Sequence, residues 1–335
     1  MNRFRPLFFT LLAALISVSP SNAQEKIELR LGGVVGDRHQ ITVQMEERKT
    51  VVYDGEKTNS HLQMRLTATM ELLEASADGS RRVRAAYTQL AVSSNEDGVK
   101  THFNSTRDVK SKMSEAIFFN SLIGQSFVIK TDNRGKILKL EGLDALKEKL
   151  LKALKLTKKE KTEVQAVFDS YFPKVGQENS LGFSHLPDRA IAVGDSWERS
   201  FSSQEDYALL VKQTCTLKSN QTNSAVIEYR DVITPDYKNI KTITVDDVKL
   251  RDIVSGQGKG TLLLDKSEGQ LISSVYEQRL TGKTEAKVVL GKGKDSSVHT
   301  VNFPIYVKSS MRIWSKKLDA LNKDTKKIDA TNIAR

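Results

Sequence analysis

The residues able to do chemistry in this chain are few and scattered. Ser184-His185 with Asp188 has the residue types of a hydrolytic triad: nucleophile, base and orienting acid. A triad, however, needs members that converge from separate elements beside an oxyanion hole. These three are near neighbours around Pro187, and no glycine-flanked serine of the nucleophile-elbow kind accompanies them. A polar loop is the simpler reading. The five histidines, His39, His61, His102, His185 and His299, include no pair at the i, i+4 spacing of a helical metal site. Scattered surface or half-buried histidines are expected. No catalytic, cofactor-binding or metal-ligating residue is assigned, and no cofactor is expected.

Cys215 is the only cysteine, which leaves an internal disulfide without a partner. It shares even spacing with Leu209, Val211 and Leu217, so it falls on the apolar face of a strand and should behave as a small buried hydrophobe. Gly256, Gly258 and Gly260 are no dinucleotide fingerprint, because a strand-like run, Thr261 to Leu264, follows them in place of a helix. Alternating glycines there predict a bend or a bulge.

The elements that would position such residues are mostly strands. Ile41, Val43 and Met45 alternate with polar residues, as do Leu62, Met64, Leu66, Met70 and Leu72. Period-two alternation predicts one buried and one wet face. Asp54-Gly55, Asp78-Gly79 and Asp97-Gly98 supply hairpin turns between them. Strands are predicted near 39–52, 60–74, 81–93 and 99–105. Asp132 to Gly135 predicts a tight turn flanked by Phe127, Ile129, Ile137 and Leu138.

The middle of the chain is helical in pattern. Leu143, Leu146, Leu150 and Leu154 recur at three- and four-residue spacing, and Pro173 closes the stretch. Helices are predicted over 143–155 and 158–171, with a shorter one over 111–122. The leucines could pack on a sheet or serve as a lid over a ligand. Lys152, Lys155 and Lys159 could contact an anionic membrane surface. Glu148, Glu160 and Glu163 interleave with them, which favours an ordinary solvated face.

β character returns after Pro187, with strands near 207–218, 224–233, 240–254, 258–265 and 270–290. A final run from Val301 to Ile313 is interrupted by Pro304, which marks an edge strand or a bulge. From Lys316 the tail is polar and is read as frayed. Val35-Gly36-Asp37 is echoed by Val193-Gly194-Asp195, and the turn at Asp132 and Gly135 by Asp265 and Gly269. The offsets differ, so a duplication would need insertions in the first half. Chance likeness between β meanders is the competing explanation.

The N-terminus carries Arg3 and Arg5, an apolar run from Leu7 to Val18, and small residues at Ser21 and Ala23. That is the pattern of a secretory signal peptide cleaved after Ala23. The run is short of the roughly 20 apolar residues that span a bilayer. Removing Arg3 and Arg5 lowers Lys plus Arg from 52 to 50 against 41 acids, leaving a net charge of +9. Such a balance suits contact with polyanions such as phospholipid headgroups, lipopolysaccharide or acidic polysaccharide, though plain solubility is the simpler reading, and no nucleic-acid partner is expected outside the cell.

Three segments carry a resemblance. They are Leu122-Ile123-Gly124-Gln125-Ser126-Phe127 continuing to Gly135-Lys136-Ile137-Leu138 and Glu141-Gly142-Leu143; Val193-Gly194-Asp195-Ser196-Trp197; and Gly260-Thr261 through Asp265 to Gly269-Gln270-Leu271. Together they resemble a family of bacterial secreted proteins known only as a domain of unknown function, of the 6263 type. The resemblance implies an exported, β-rich bacterial protein and offers no catalytic residue to carry over.

The expected fold is α+β, mostly antiparallel β. It has a signal peptide (1–23), an N-terminal meander (24–142), a helical insert (143–172), a C-terminal β-rich portion (173–315) and a polar tail (316–335). Two curved sheets or a partial barrel would be joined by the insert. The leading function is a non-enzymatic binder of an apolar or amphiphilic ligand, such as a lipid, in the periplasm or outside the cell. The alternative is a structural or protein-interaction module of the envelope, with its protein partner unidentified. An enzyme is the least supported reading.

Overall fold

The alternating runs form strands, and the strands form one sheet. The computed structural model describes residues 25–109, 119–133, 135–153, 186–203, 207–245, 248–290 and 297–319. In chain order the strands are β1 (Arg38–Tyr53), β2 (Glu56–Ala75), β3 (Arg81–Glu96), β4 (Val99–Asn104), β5 (Ser126–Thr131) and β6 (Ile137–Glu141). Then come β7 (Ser196–Ser203), β8 (Leu209–Asn220), β9 (Ser224–Pro235), β10 (Ile243–Val245), β11 (Val248–Asp265), β12 (Gln270–Leu290) and β13 (Ser297–Leu318). One helix, α1 (Leu143–Ala153), follows β6. The sheet order is β6-β5-β3-β2-β1-β13-β12-β11-β9-β8-β7, with β4 on β3 and β10 on β11.

This corrects the expectation of two β-rich portions. β1 pairs with β13 at every position from Arg38↔Leu318 to Val51↔Ile305, which fuses the halves into a single open sheet. Two separate sheets would each leave a long edge of unpaired N–H and C=O groups; pairing β1 with β13 removes both. The edges that remain are short, five residues in β6 and eight in β7. The polar tail begins later than expected, because Lys316, Lys317 and Leu318 pair with Gln40, His39 and Arg38. Pro304 is consistent with a local edge: the β1 pairing ends at Ile305, so only β12 flanks the proline.

One face of the sheet is concave. Lys49 Nζ on β1 lies 3.0 Å from Asp252 Oδ2 on β11, across β13 and β12. Three strand spacings would separate their backbones by about 14 Å in a flat sheet, so the strands curve toward each other on this side. Three apolar clusters fill the concavity. The first joins Leu146 and Leu150 of α1 to Phe127, Ile129, Ile137 and Phe103. The second gathers Cys215, Leu217, Ile227, Leu262, Leu264 and Leu271 under Leu29, Leu186 and Ile191. The third holds Val211, Ile233, Val254, Leu280 and Ile305.

The echoed turns have the same hydrogen bonds. Asp37 Oδ2 accepts from Val34 N–H at 2.8 Å, and Asp195 Oδ2 from Ala192 N–H at 3.0 Å. Gly36 N–H donates to Leu72 C=O and Gly194 N–H to Leu217 C=O; both glycines have φ 94°. The registers then run in parallel. A β-bulge follows Leu72 on β2 and Leu217 on β8. Another separates Lys130 from Thr131 on β5 and Leu263 from Leu264 on β11. The order β1-β2-β3-β5-β6 is repeated as β7-β8-β9-β11-β12. The chain is therefore two structural repeats in tandem, closed by β13. The first is longer largely because β1 and β2, at 16 and 20 residues, extend past β7 and β8, at 8 and 12.

Two further expectations change. Strands at 240–254 and 258–265 are one strand, β11, preceded by the short β10. Gly256, Gly258 and Gly260 lie in unbroken pairing with β9 and β12, and the bulge falls later, between Leu263 and Leu264. Gly258 and Gly260 instead make room for rings: a Cβ on Gly258 would sit 2.2 Å from Tyr276 Oη, and one on Gly260 2.3 Å from the Tyr229 ring, whereas one on Gly256 would meet the Arg279 C=O. Tyr276 thus reaches across β11 to donate to Asp231 Oδ2 at 2.8 Å, while Gln213 Nε2 donates to Oδ1 at 2.9 Å. Burial raises the Asp231 pKa. Of the helical insert, 143–153 is observed as α1; the predicted helix over 158–171 lies outside the described residues, as does 111–118 of the shorter one.

Candidate functional site

The repeat supplies its own control for locating a site. In the second repeat, Ala225, Ile227, Leu262, Leu264 and Leu271 face one another on neighbouring strands, with Leu217 beside them, and none is more than 3 % exposed. The matching positions in the first repeat, read from the registers, are Arg81, Val83, Ile129, Thr131 and Ile137, with Leu72 beside them. His39 stands where the second repeat has Trp197. Arginine replaces alanine, threonine replaces leucine and histidine replaces tryptophan. A cavity of about 60 Å³ results, lined by these residues together with Leu31, Asp37, Ile41, Met70, Gly135 and Gln270.

A strap ahead of β1 roofs the cavity. Ile27 bridges to Ile191, Gly32 N–H donates to Gly269 C=O at 3.0 Å, and Leu31 N–H to Asn133 C=O at 2.9 Å. Gln270 Nε2 donates to Gly32 C=O at 2.9 Å. Gly33 occupies the place that fully buried Ile191 takes before β7. It has φ +120°, and a Cβ there would lie 2.7 Å from Gln270 Nε2 and 3.3 Å from Arg81 Nη2. Glycine at 33 therefore gives the Arg81 guanidinium room under the strap.

Two polar groups of the cavity carry a buried nitrogen without a partner. Arg81 is 7 % exposed, and its Nε has no hydrogen-bond partner among the described residues. Burial alone pulls its pKa down. His39 is 8 % exposed with Nε2 likewise unpartnered, while Nδ1 sits 3.4 Å from Ser315 Oγ. Burial lowers the His39 pKa against the pull of Glu268 and Asp37. Asp37 is held below the usual carboxylate range, chiefly by the Val34 N–H. On the opposite face, Arg82 pairs with Glu141 at 2.7 Å and Arg84 with Glu71 at 3.0 Å. Arg81 differs from its neighbours in having no such acid.

The residues singled out from the sequence are placed as follows. Leu146 and Leu150 are buried against the first repeat, and Leu143 packs at their margin. Leu154, Lys155 and Lys159 lie outside the described residues, as do Ser184 and His185. Lys152 is exposed and 3.8 Å from Glu148, one turn away. Cys215 is fully buried, and burial pushes its thiol up to about 12. His61 pairs with Glu46 at 2.9 Å and His299 with Ser297 at 3.0 Å. Among the described residues no group of three or more His, Cys, Asp or Glu could hold a metal ion. No helix among them is long and apolar enough to cross a membrane. Arg81 and His39 were not distinguished by the sequence pattern; the signal that finds them is their mismatch with Ala225 and Trp197 once the repeats are aligned.

The architecture is that of a large, open, curved antiparallel sheet built from two repeats. The chain belongs to a family of unknown function (DUF6263), whose model matches residues 78–271. Among curated proteins none matches significantly. Among solved structures, a lipovitellin structure, titled for lipid–protein interactions, is 8 % identical with a TM-score of 0.44; the match covers 86 % of this chain and 26 % of that one. Pseudomonas aeruginosa OccK7 is 7 % identical, with a TM-score of 0.23, over 85 % of this chain and 100 % of that one. An outer-membrane channel of Pseudomonas putida F1 is 7 % identical, with a TM-score of 0.23, over 89 % of this chain and 100 % of that one.

Proposed function

We propose that this protein is an exported, envelope-located binder of an amphiphilic ligand, and that the first-repeat cavity receives one end of that ligand. The observation that carries the reading is the contrast between repeats: where the second packs shut with apolar side chains, the first keeps apolar walls, a void and three polar substitutions. Well-packed interiors rarely keep voids beside buried polar groups. Convergent polar groups in an apolar pocket are the usual mark of a ligand site. The void is under half of the roughly 150 Å³ that accepts a benzene ring, so it suits the terminus of a ligand, with the remainder passing out along the concave face. Export is supported by the signal-peptide pattern of Arg3, Arg5, Leu7 to Val18 and Ala23.

Native mass spectrometry of the protein, purified from its exporting host without detergent, tests this. A bound small-molecule adduct that solvent extraction removes is expected, and Val83→Trp, which fills the void, should lack it. A bare mass for the wild type, unchanged after incubation with octanol, would leave the structural-module reading in its place.

A further inference from the structure

Resting on the cavity as the ligand site, we infer that the ligand end entering it is a carboxylate, held by the Arg81 guanidinium with a second hydrogen bond from His39 Nε2. Arg81 is a largely buried cation whose Nε has no hydrogen-bond partner, and no carboxylate pairs with it among the described residues. Isolated buried charge is strongly disfavoured unless something pairs with it. The acids nearby are committed elsewhere. Asp37 Oδ2 accepts the Val34 N–H while Oδ1 lies 3.6 Å from Lys317 Nζ, and Glu268 Oε1 takes Lys317 Nζ at 2.6 Å. The fold thus places a cation at a position the second repeat fills with Ala225, gives it space through Gly33, and withholds a counter-ion. That combination has a direct chemical complement in an anion supplied from outside.

The geometry favours a carboxylate over a bulkier anion. A planar guanidinium presents parallel N–H groups that match a carboxylate's two oxygens. His39 Nδ1 faces the Ser315 hydroxyl; when Nδ1 accepts that O–H, the ring proton sits on Nε2 and points a donor at the same guest. Most of the rest of the lining, Leu31, Ile41, Met70, Leu72 and Ile137 among it, is apolar and accepts the methylenes that follow a carboxylate; of its polar members, Gln270 donates to Gly32 C=O and Asp37 accepts the Val34 N–H.

Calorimetric titration with octanoate and with octanol, matched in chain length, tests the assignment on the full mature protein. Octanoate should bind at least tenfold more tightly than octanol. Arg81→Gln should abolish that preference, bringing octanoate affinity down to that of octanol, with circular dichroism confirming the fold. Arg81→Lys, which keeps charge but loses the fork, should retain part of the preference, and it stands in if the glutamine variant does not fold. Equal binding of acid and alcohol by the wild type, or an octanoate preference that survives Arg81→Gln, overturns the carboxylate assignment and leaves the cavity reading intact. Binding of neither compound overturns both.

Discussion

At the scale of single residues, the account turns on Arg81. A guanidinium whose Nε is buried without a partner is a cost to the unliganded protein, of the order of the 1–3 kcal/mol of an unsatisfied buried polar group. Arg81→Met should therefore raise the stability of the ligand-free protein by about 1–3 kcal/mol in chemical denaturation while removing acid binding, a trade of stability against function. A lower midpoint would mean that the arginine serves packing alone. His39 gives a pH signature. Its native pKa is depressed below 6.5 by burial, so as pH falls through 6.5 the unfolded chain takes up the proton first. Stability then rises with pH in the window just below 6.5 and is flat above it. His39→Gln should flatten that window, as read by denaturation midpoints between about pH 5 and 7. Cys215, with its thiol raised to about 12, should label only on unfolding; rapid labelling of the native protein would contradict its placement. The burial of Cys215 was legible because period-two spacing carries it with Val211 and Leu217. Arg81 was not, since Arg81-Arg82 reads as a charged strand start, and the extra residue Thr88 on β3 breaks the alternation that would otherwise relate it to buried Leu90.

At the scale of elements, α1 and the turns were the parts most open to local reading. The leucine stripe at 143, 146 and 150 packs on the sheet because three- and four-residue spacing puts it on one helical face. Leu150→Ala should cost about 2–5 kcal/mol in urea unfolding; a loss under 1 kcal/mol would remove α1 from the core. The Asp132–Gly135 turn joins β5 to β6, and Gly135 holds φ 91°. Gly135→Ala should cost on the order of 1 kcal/mol, and an unchanged midpoint would contradict that conformation. Gly258 and Gly260 of β11 could not be understood from their own strand. Their reason, Tyr229 and Tyr276, lies on the two strands beside it.

At the scale of the whole molecule, the joining of β1 to β13 was invisible in sequence, because pairing between the two ends of a chain leaves no local pattern. It makes both repeats parts of one sheet, and calorimetry should show a single unfolding transition where independent portions would give two. The duplication was hinted at by two Val-Gly-Asp turns and becomes clear only through matched bulges and registers. It also supplies the sharpest test, since each residue of the proposed site has a counterpart in a repeat that packs shut. Methyl NMR of isotope-labelled protein, titrated with octanoate, reads both repeats at once. The account predicts saturable shifts at Leu72, Val83, Ile129 and Ile137, with Leu217, Ile227, Leu262 and Leu271 unmoved. Shifts shared equally by the two sets, or confined to the second, would contradict it.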